Sequence, residues 1–417
     1  MSDERSAGPG RGVTRRVFLA GSTLVAAALA TTADLPGAAA ATPAAVTAGP
    51  VLPDPPDSGI ARAQIFDNQI PDRSVYAGLT YFVWGASSLA QPAGAVPCGY
   101  LPAFRDYDRT HDLAWFQANH PDWLVYTSDR TTPAYEFGNT VYLPIDFTNP
   151  AVRTYYYDTY VQPLLDAGYP FVGFDNVVTF NGYGNCGHFD SAGTWVQQFS
   201  GERVDDDWAA AVLDWLDYLA GRLHAAGAGI AANITWNASV KPADMLAAIG
   251  LVDVYVDEQG FTAHRVANYN DQAWQDRFDL VRQIAPTTPY VSINQTATDD
   301  LADASTAQID WVIANYLLCR EQRSMLALCG DQQYHVFLDR PELHTDIGAP
   351  SAAPYTDTGG ARARAYTGGL ALVNPSSTQT TTTALPAGTW TDLRGTAHTG
   401  QIALPPNSGT VLAGPTA

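Results

Sequence analysis

Residues 149–176 read NPAVRTYYYDTYVQPLLDAGYPFVGFDN, and this stretch decides the fold. Asn149 is a helix cap and Pro150 suits the first helical position. Val152, Tyr156, Tyr160 and Leu164 then recur on one helical face, and Gly168 stops the helix. Phe171–Phe174 follows as a short buried strand, ending in Asp175. A one-sided helix feeding an unbroken apolar strand is the unit of a parallel sheet covered by helices.

The same alternation continues on both sides. Upstream, Gly78–Trp84, Asp122–Thr127 and Thr140–Ile145 are expected strands. Downstream, residues 208–224 are helical, with Asp205, Asp206 and Asp207 at the positive end. Strands are expected at Gly229–Ile234, Leu251–Val256, Pro289–Asn294 and Ser324–Leu328. The helices between them cover residues 242–249 and 270–284, and a third opens at the capping box Ser305-Thr306-Ala307-Gln308. Eight strands mostly separated by helices predict an α/β fold, a (β/α)8 TIM barrel. A doubly wound open sheet is the alternative. Its Gly-rich phosphate turn is missing where it belongs, at Trp84-Gly85-Ala86-Ser87-Ser88.

The barrel is expected over residues 74–355. Residues 356–417 are short, Thr-rich and turn-separated, which predicts a small C-terminal all-β sandwich. Residues 41–73 are rich in Pro and Ala and are expected to be a linker. Residues 1–40 hold paired Arg15-Arg16, a short apolar run and an Ala-rich end, the features of a twin-arginine signal peptide. They predict a secreted protein exported already folded.

The 417 residues carry 22 Lys+Arg against 42 Asp+Glu, a net charge of −20, and Lys241 is the single lysine. That balance excludes a nucleic-acid ligand, which needs a basic stripe. It also favours a neutral or cationic glycan over an anionic one. The 10 Trp and 21 Tyr suit sugar rings as well as a core. Four cysteines, Cys98, Cys186, Cys319 and Cys329, permit two disulfides or free thiols. No CxxC or HExxH occurs, and the acidic runs at 205–207 and 299–300 lack calcium-loop spacing. No cofactor and no metal are expected, nor a membrane partner, and the protein is expected to be a monomer.

In such a barrel the active site lies at the C-terminal ends of the strands. Those positions hold Tyr81 and Trp84, then Asp129, Asp146, and Asp175 with Asn176. Further along come Asn233, Trp236 and Asn237, then Asp257-Glu258-Gln259, Asn294-Gln295 and Asp331-Gln332. Carboxylates, amides and aromatics together suit a polyol, with two carboxylates for acid/base and nucleophilic work. Asp175 is the first catalytic candidate. Glu258 is its partner, because Val254, Val256 and Glu258 share one strand face while Asp257 shares the other. The substrate-binding candidates are Tyr81, Trp84, Asp129, Asp146, Asn176, Asn233, Trp236, Gln259 and Asn294. His111, His120, His188 and His264 lack metal-ligand spacing and are expected to be ordinary surface residues.

Several signposts carry a resemblance: Asn119-His120-Pro121-Asp122-Trp123-Leu124, residues 146–153, Gly173-Phe174-Asp175-Asn176, residues 346–350 and residues 368–375. Over residues 76–412 the chain resembles bacterial hypothetical TIM-barrel glycosyl hydrolases. These are distantly similar to alpha-galactosidases and endo-alpha-1,4-polygalactosaminidases. The resemblance implies a nucleophile after strand four, here Asp175, and an acid/base after strand six, here Glu258. Glu stands at 258 where that clan usually carries Asp. The related layout on strands four and seven does not fit, since strand seven ends in Asn294. The expectation is a secreted, retaining glycoside hydrolase. The alternative is a carbohydrate-binding protein that kept the barrel and lost the chemistry.

Overall fold

The computed structural model describes residues 49–107, 111–135, 140–236, 241–263, 267–296, 298, 300–330 and 333–415. The expected signal peptide, Asn237, His264 and Asp331-Gln332 lie outside them. Eight parallel strands close into a barrel: β1 (Arg62–Ile65), β2 (Thr80–Trp84), β3 (Val96–Pro102), β4 (Phe171–Val177), β5 (Gly229–Ile234), β6 (Val254–Asp257), β7 (Tyr290–Gln295) and β8 (Ser324–Cys329). β8 pairs back onto β1 through Arg62 and Leu326.

The helices are α1 (Leu113–Asn119), α2 (Pro150–Tyr156), α3 (Gln162–Ala167), α4 (Asp206–Ala225), α5 (Pro242–Gly250), α6 (Asp271–Ile284) and α7 (Thr306–Cys319). A π-helical turn, Tyr157–Val161, joins α2 to α3. The caps form as the sequence predicts. Asn149 accepts from the Ala151 N–H, Ser305 from Gln308, and Gly168 closes α3 in the left-handed conformation.

Strand membership differs from the sequence reading. The segment at 122–127 contributes only the short strand Tyr126–Thr127, paired outside the barrel with Asn185–Phe189. The segment at 140–145 contributes Leu143–Pro144, paired with Arg105–Asp106. Both belong to a long excursion between β3 and β4. Their places in the barrel are taken by β1 and β3. β1 lies inside the stretch expected to be a linker, so the barrel begins near residue 62 and not at 74.

β1 does not read as a barrel strand because Arg62 and Gln64 alternate with its apolar residues. Arg62 donates to the Leu338 carbonyl and Gln64 to the Ile65 carbonyl, under a covering segment at 336–338. β3 is hidden by Pro97, Gly99 and Pro102. A 3-10 turn at Arg73–Tyr76 links β1 to β2, and a loop links β2 to β3.

Side-chain alternation splits the core in two. Ala63, Ile65, Phe82, Trp84, Cys98, Phe171, Ala231, Val254, Val256, Val291, Ile293, Met325, Ala327 and Cys329 fill the barrel interior. The other faces pack against the helices, where Tyr156 and Tyr160 are buried as expected and Tyr316 is buried with them. All four cysteines are buried free thiols, so neither possible disulfide forms. They sit on separate strands and one helix end, each enclosed by core side chains.

The C-terminal residues form two antiparallel sheets, one of six strands and one of two. Leu370, Leu372, Trp390, Ile402, Leu404 and Leu412 fill the space between them. The module rests on α7, where the Tyr366 hydroxyl donates to the Leu317 carbonyl at 2.5 Å.

Candidate active site

The interior positions change character at the C-terminal mouth of the barrel. Below, they are apolar; above, they are Tyr100 on β3, Asp175 on β4, Asn233 on β5 and Gln295 on β7, with Glu258 just past β6. Each continues the inward parity of its strand: Phe171 and Gly173 precede Asp175, Ala231 precedes Asn233, and Val256 precedes Glu258.

Asn233 joins the two carboxylates. Its Nδ2 donates to Asp175 Oδ1 at 2.7 Å and to Glu258 Oε2 at 2.9 Å. The facing oxygens are therefore at most 5.6 Å apart, the length of those two bonds laid end to end. On the far side of each carboxylate stands a tyrosine. Tyr100 Oη donates to Asp175 Oδ2 and Tyr334 Oη to Glu258 Oε1, both at 2.5 Å. Gln295 Nε2 donates to Tyr334 Oη at 3.1 Å, and Asn176 Nδ2 to Asp175 Oδ2 at 3.0 Å. Asn176 adopts a left-handed backbone, φ 60°, which Asn tolerates better than most residues.

Burial, then the Glu258 charge, push the Asp175 carboxyl above its ordinary range, while hydrogen bonds from Tyr100 and Asn233 pull it back. Burial and the adjacent carboxylates push both phenols far upward. Tyr100 and Tyr334 thus keep their protons and donate hydrogen bonds to the carboxylates.

Of the expected substrate-binding residues, the structure gathers Asn176 and Asn233 around Asp175 and Glu258. Trp84 lies beneath the cluster and not on the rim. Its indole is 3% exposed and meets the Tyr100 ring edge-on at 6.0 Å. Gly173 makes room for it, because a Cβ there would come within 2.6 Å of the indole.

Gln259 and Trp236 flank the site through one buried cation. Arg277 pairs with Asp257, donates to Gln259 Oε1 at 3.3 Å, and lies 5.1 Å below the Trp236 ring. Tyr290 Oη also donates to Asp257 at 3.0 Å. Asp257 thus faces the helix layer and Glu258 the barrel mouth.

The structure takes four expected residues out of the site. Tyr81 points outward at the start of β2, its hydroxyl on the Gly78 carbonyl. Asp129 is exposed and caps its own turn, accepting from the Thr131 and Thr132 N–H groups, which hold its carboxyl low. Asp146 is buried in the excursion, bonded by Thr148 and Gln198 and paired with His188 at 3.1 Å. His188 is therefore a partner of Asp146, not a plain surface residue. Asn294 faces the helix layer, where its Oδ1 accepts from the Phe261 N–H at 2.9 Å.

Tyr100 and Tyr334 were not expected, and Gln295 stood at the end of strand seven without an assigned role. Gln295 was legible, since Val291 and Ile293 set the inward parity of β7 and Gln295 continues it. Tyr100 went unseen with its strand. Tyr334 stands in the loop after β8 and carries no local signal.

Comparison with known proteins gives fold-level likeness alone. No family model matches the chain, and no curated protein matches it. Solved structures similar to it are glycoside hydrolases. An Anoxybacillus alpha-amylase is 10% identical, with 78% of this chain and 77% of that one covered, at a TM-score of 0.45. The glycoside hydrolase domain of PelA from Pseudomonas aeruginosa is 14% identical, covering 67% and 98%, at 0.41. An alpha-amylase from Geobacillus thermoleovorans, complexed with acarbose, is 11% identical, covering 76% and 77%, at 0.42.

Among the described residues no group of His, Cys, Asp or Glu could hold a metal ion. The chemistry the cluster can perform is proton transfer and nucleophilic attack by two carboxylates that face one another across an amide.

Proposed function

We propose that this protein is a glycoside hydrolase of the retaining type, with Asp175 as nucleophile and Glu258 as general acid/base. The observation that carries the proposal is the Asn233 bridge. It holds facing carboxylate oxygens within 5.6 Å, close to the roughly 5–5.5 Å of retaining pairs and short of the roughly 6.5–9.5 Å of inverting ones. The role assignment rests on mounting and hydrogen bonding. Asp175 is fixed within β4 and accepts from Tyr100, Asn233 and Asn176, bonds that favour its anion against the burial and the Glu258 charge that oppose it. Glu258 stands past the strand end, where a side chain can follow a leaving oxygen. Two carboxylates this close do not both ionise cheaply, and the Glu258 charge adds to burial in raising the Asp175 carboxyl.

The net charge of −20 supports a neutral or cationic glycan. The signal-like features of residues 1–40 support secretion by the twin-arginine route. Carboxylates that face each other, and not away, favour hydrolysis over sugar binding alone.

The test is a panel of bacterial, fungal and plant glycans incubated with wild-type protein, Asp175→Asn and Glu258→Gln. Wild-type release of reducing ends, lost by at least about 10³-fold in both variants, supports the proposal. Full activity in either variant overturns the assignment. Binding without any release in wild type supports the carbohydrate-binding alternative.

A further inference from the structure

Phe66 follows β1, in the stretch whose composition reads as a linker. Its backbone is left-handed, φ 45°, an unfavourable conformation for a bulky side chain. The surrounding structure enforces it. Phe66 N–H donates to the Trp84 carbonyl at 2.8 Å. The next residue, Asp67, is fully buried and accepts from Arg73, Gln91, and both the N–H and hydroxyl of Ser87. Gly85 leaves the space the ring occupies, since a Cβ there would come within 2.3 Å of it.

The ring so placed touches both tyrosines of the site. It meets Tyr100 edge-on at 5.0 Å and Tyr334 edge-on at 6.3 Å. Those tyrosines donate to Asp175 and Glu258 respectively. A relaxed backbone at 66 would turn the ring out of the gap between them. Strain that persists beside a catalytic pair, over-determined by an aspartate with four donors and by a glycine, is strain with a task.

We propose that Phe66 is a positioning residue, a wedge that sets the two tyrosine–carboxylate hydrogen bonds and with them the proton affinity of the Asp175–Glu258 pair. This rests on the glycosidase reading for its kinetic consequence, not for its structural one. Phe66 need not touch substrate, so its loss acts on kcat more than on KM.

The test compares Phe66→Gly, Phe66→Ala and Phe66→Tyr. Glycine is at ease at positive φ and alanine is not, so Phe66→Gly is expected to melt at or above Phe66→Ala although it removes more. On the glycan that wild type cleaves, both are expected to lose about tenfold or more in kcat with KM within about threefold, and the acid limb of the kcat/KM profile is expected to shift. Phe66→Tyr, which keeps the ring, is expected to restore kcat and the profile. In crystals of Phe66→Gly, the Tyr334–Glu258 or Tyr100–Asp175 bond is expected to lengthen past hydrogen-bond range. Wild-type kcat and pH profile in Phe66→Gly, or both bonds unchanged in its crystals, overturns the inference and leaves the glycosidase reading standing. If wild type cleaves no glycan, that reading fails, and the crystal distances still decide the wedge.

Discussion

Asn233→Ala is the substitution that puts most weight on the bridge. It removes the one amide that donates to both carboxylates and holds their facing oxygens at most 5.6 Å apart. At an effective dielectric of about 20, two unit charges at that distance repel by about 3 kcal/mol. Each lost charge-assisted hydrogen bond was worth about 1.5–3 kcal/mol. The amide therefore offsets the repulsion, and without it the doubly ionised pair is disfavoured. Because the Asp175 anion loses its own bond from Asn233, its ionisation becomes harder, and the acid limb of the kcat/KM profile is expected to move to higher pH. Loss of the aligned pair is expected to lower kcat/KM by about 10²-fold, equal to about 2.7 kcal/mol. The assay is initial-rate hydrolysis across pH, beside Asn294→Ala as control. Asn294 ends an apolar strand just as Asn233 does, but it faces the helix layer, so its loss is expected to affect stability and leave the profile in place. Asn233→Ala within about twofold of wild type, or with an acid limb that stays or falls, refutes the reasoning.

Other substitutions separate stability from chemistry. The Asp175 pKa is raised in the folded state, so the stability this carboxyl contributes is full below its unfolded pKa of about 3.9 and is lost as pH rises through the folded value. Asp175→Asn is therefore expected to melt higher than wild type at pH 7, with a gap that closes near pH 4; a lower melting temperature at pH 7 contradicts this. Asp257→Asn strands the fully buried Arg277 and is expected to cost about 3–5 kcal/mol in denaturant unfolding, whereas Glu258→Gln is expected to cost little. Gly173→Ala drives a methyl into the Trp84 indole, with an expected loss of about 1–3 kcal/mol and reduced activity, since Asp175 lies two residues on. With four free buried thiols, reductant is expected to leave the melting temperature unchanged, and thiol reagents to label the chain only after unfolding.

How much was legible depended on what each segment packs against. From β4 onward the chain alternates strand and helix, and strands buried on both faces are nearly continuous apolar runs. There the period, caps and strand ends all agree, and Asp175, Asn233 and Glu258 stand where inward parity puts them. The first three strands lack α-helical connections between them; the outward face of β1 lies under the segment at 336–338 and carries Arg62 and Gln64, while β3, whose Gly99 lies against Leu164 of α3, is broken up by prolines. Apolar runs at 122–127 and 140–145 mimic strands because their side chains pack inside the excursion. Asn294 was misplaced by one residue, and on a period of two that reverses the face. Tyr334 and Phe66 enter the site from loops whose local sequence says nothing of their destination.

The central claim is that Asp175 and Glu258 form a retaining pair, and its most direct test is the anomer first released. Proton NMR of wild-type digestion, recorded before mutarotation, is predicted to show a new reducing end with the anomeric configuration of the cleaved bond. The opposite anomer in the first spectra would contradict the account.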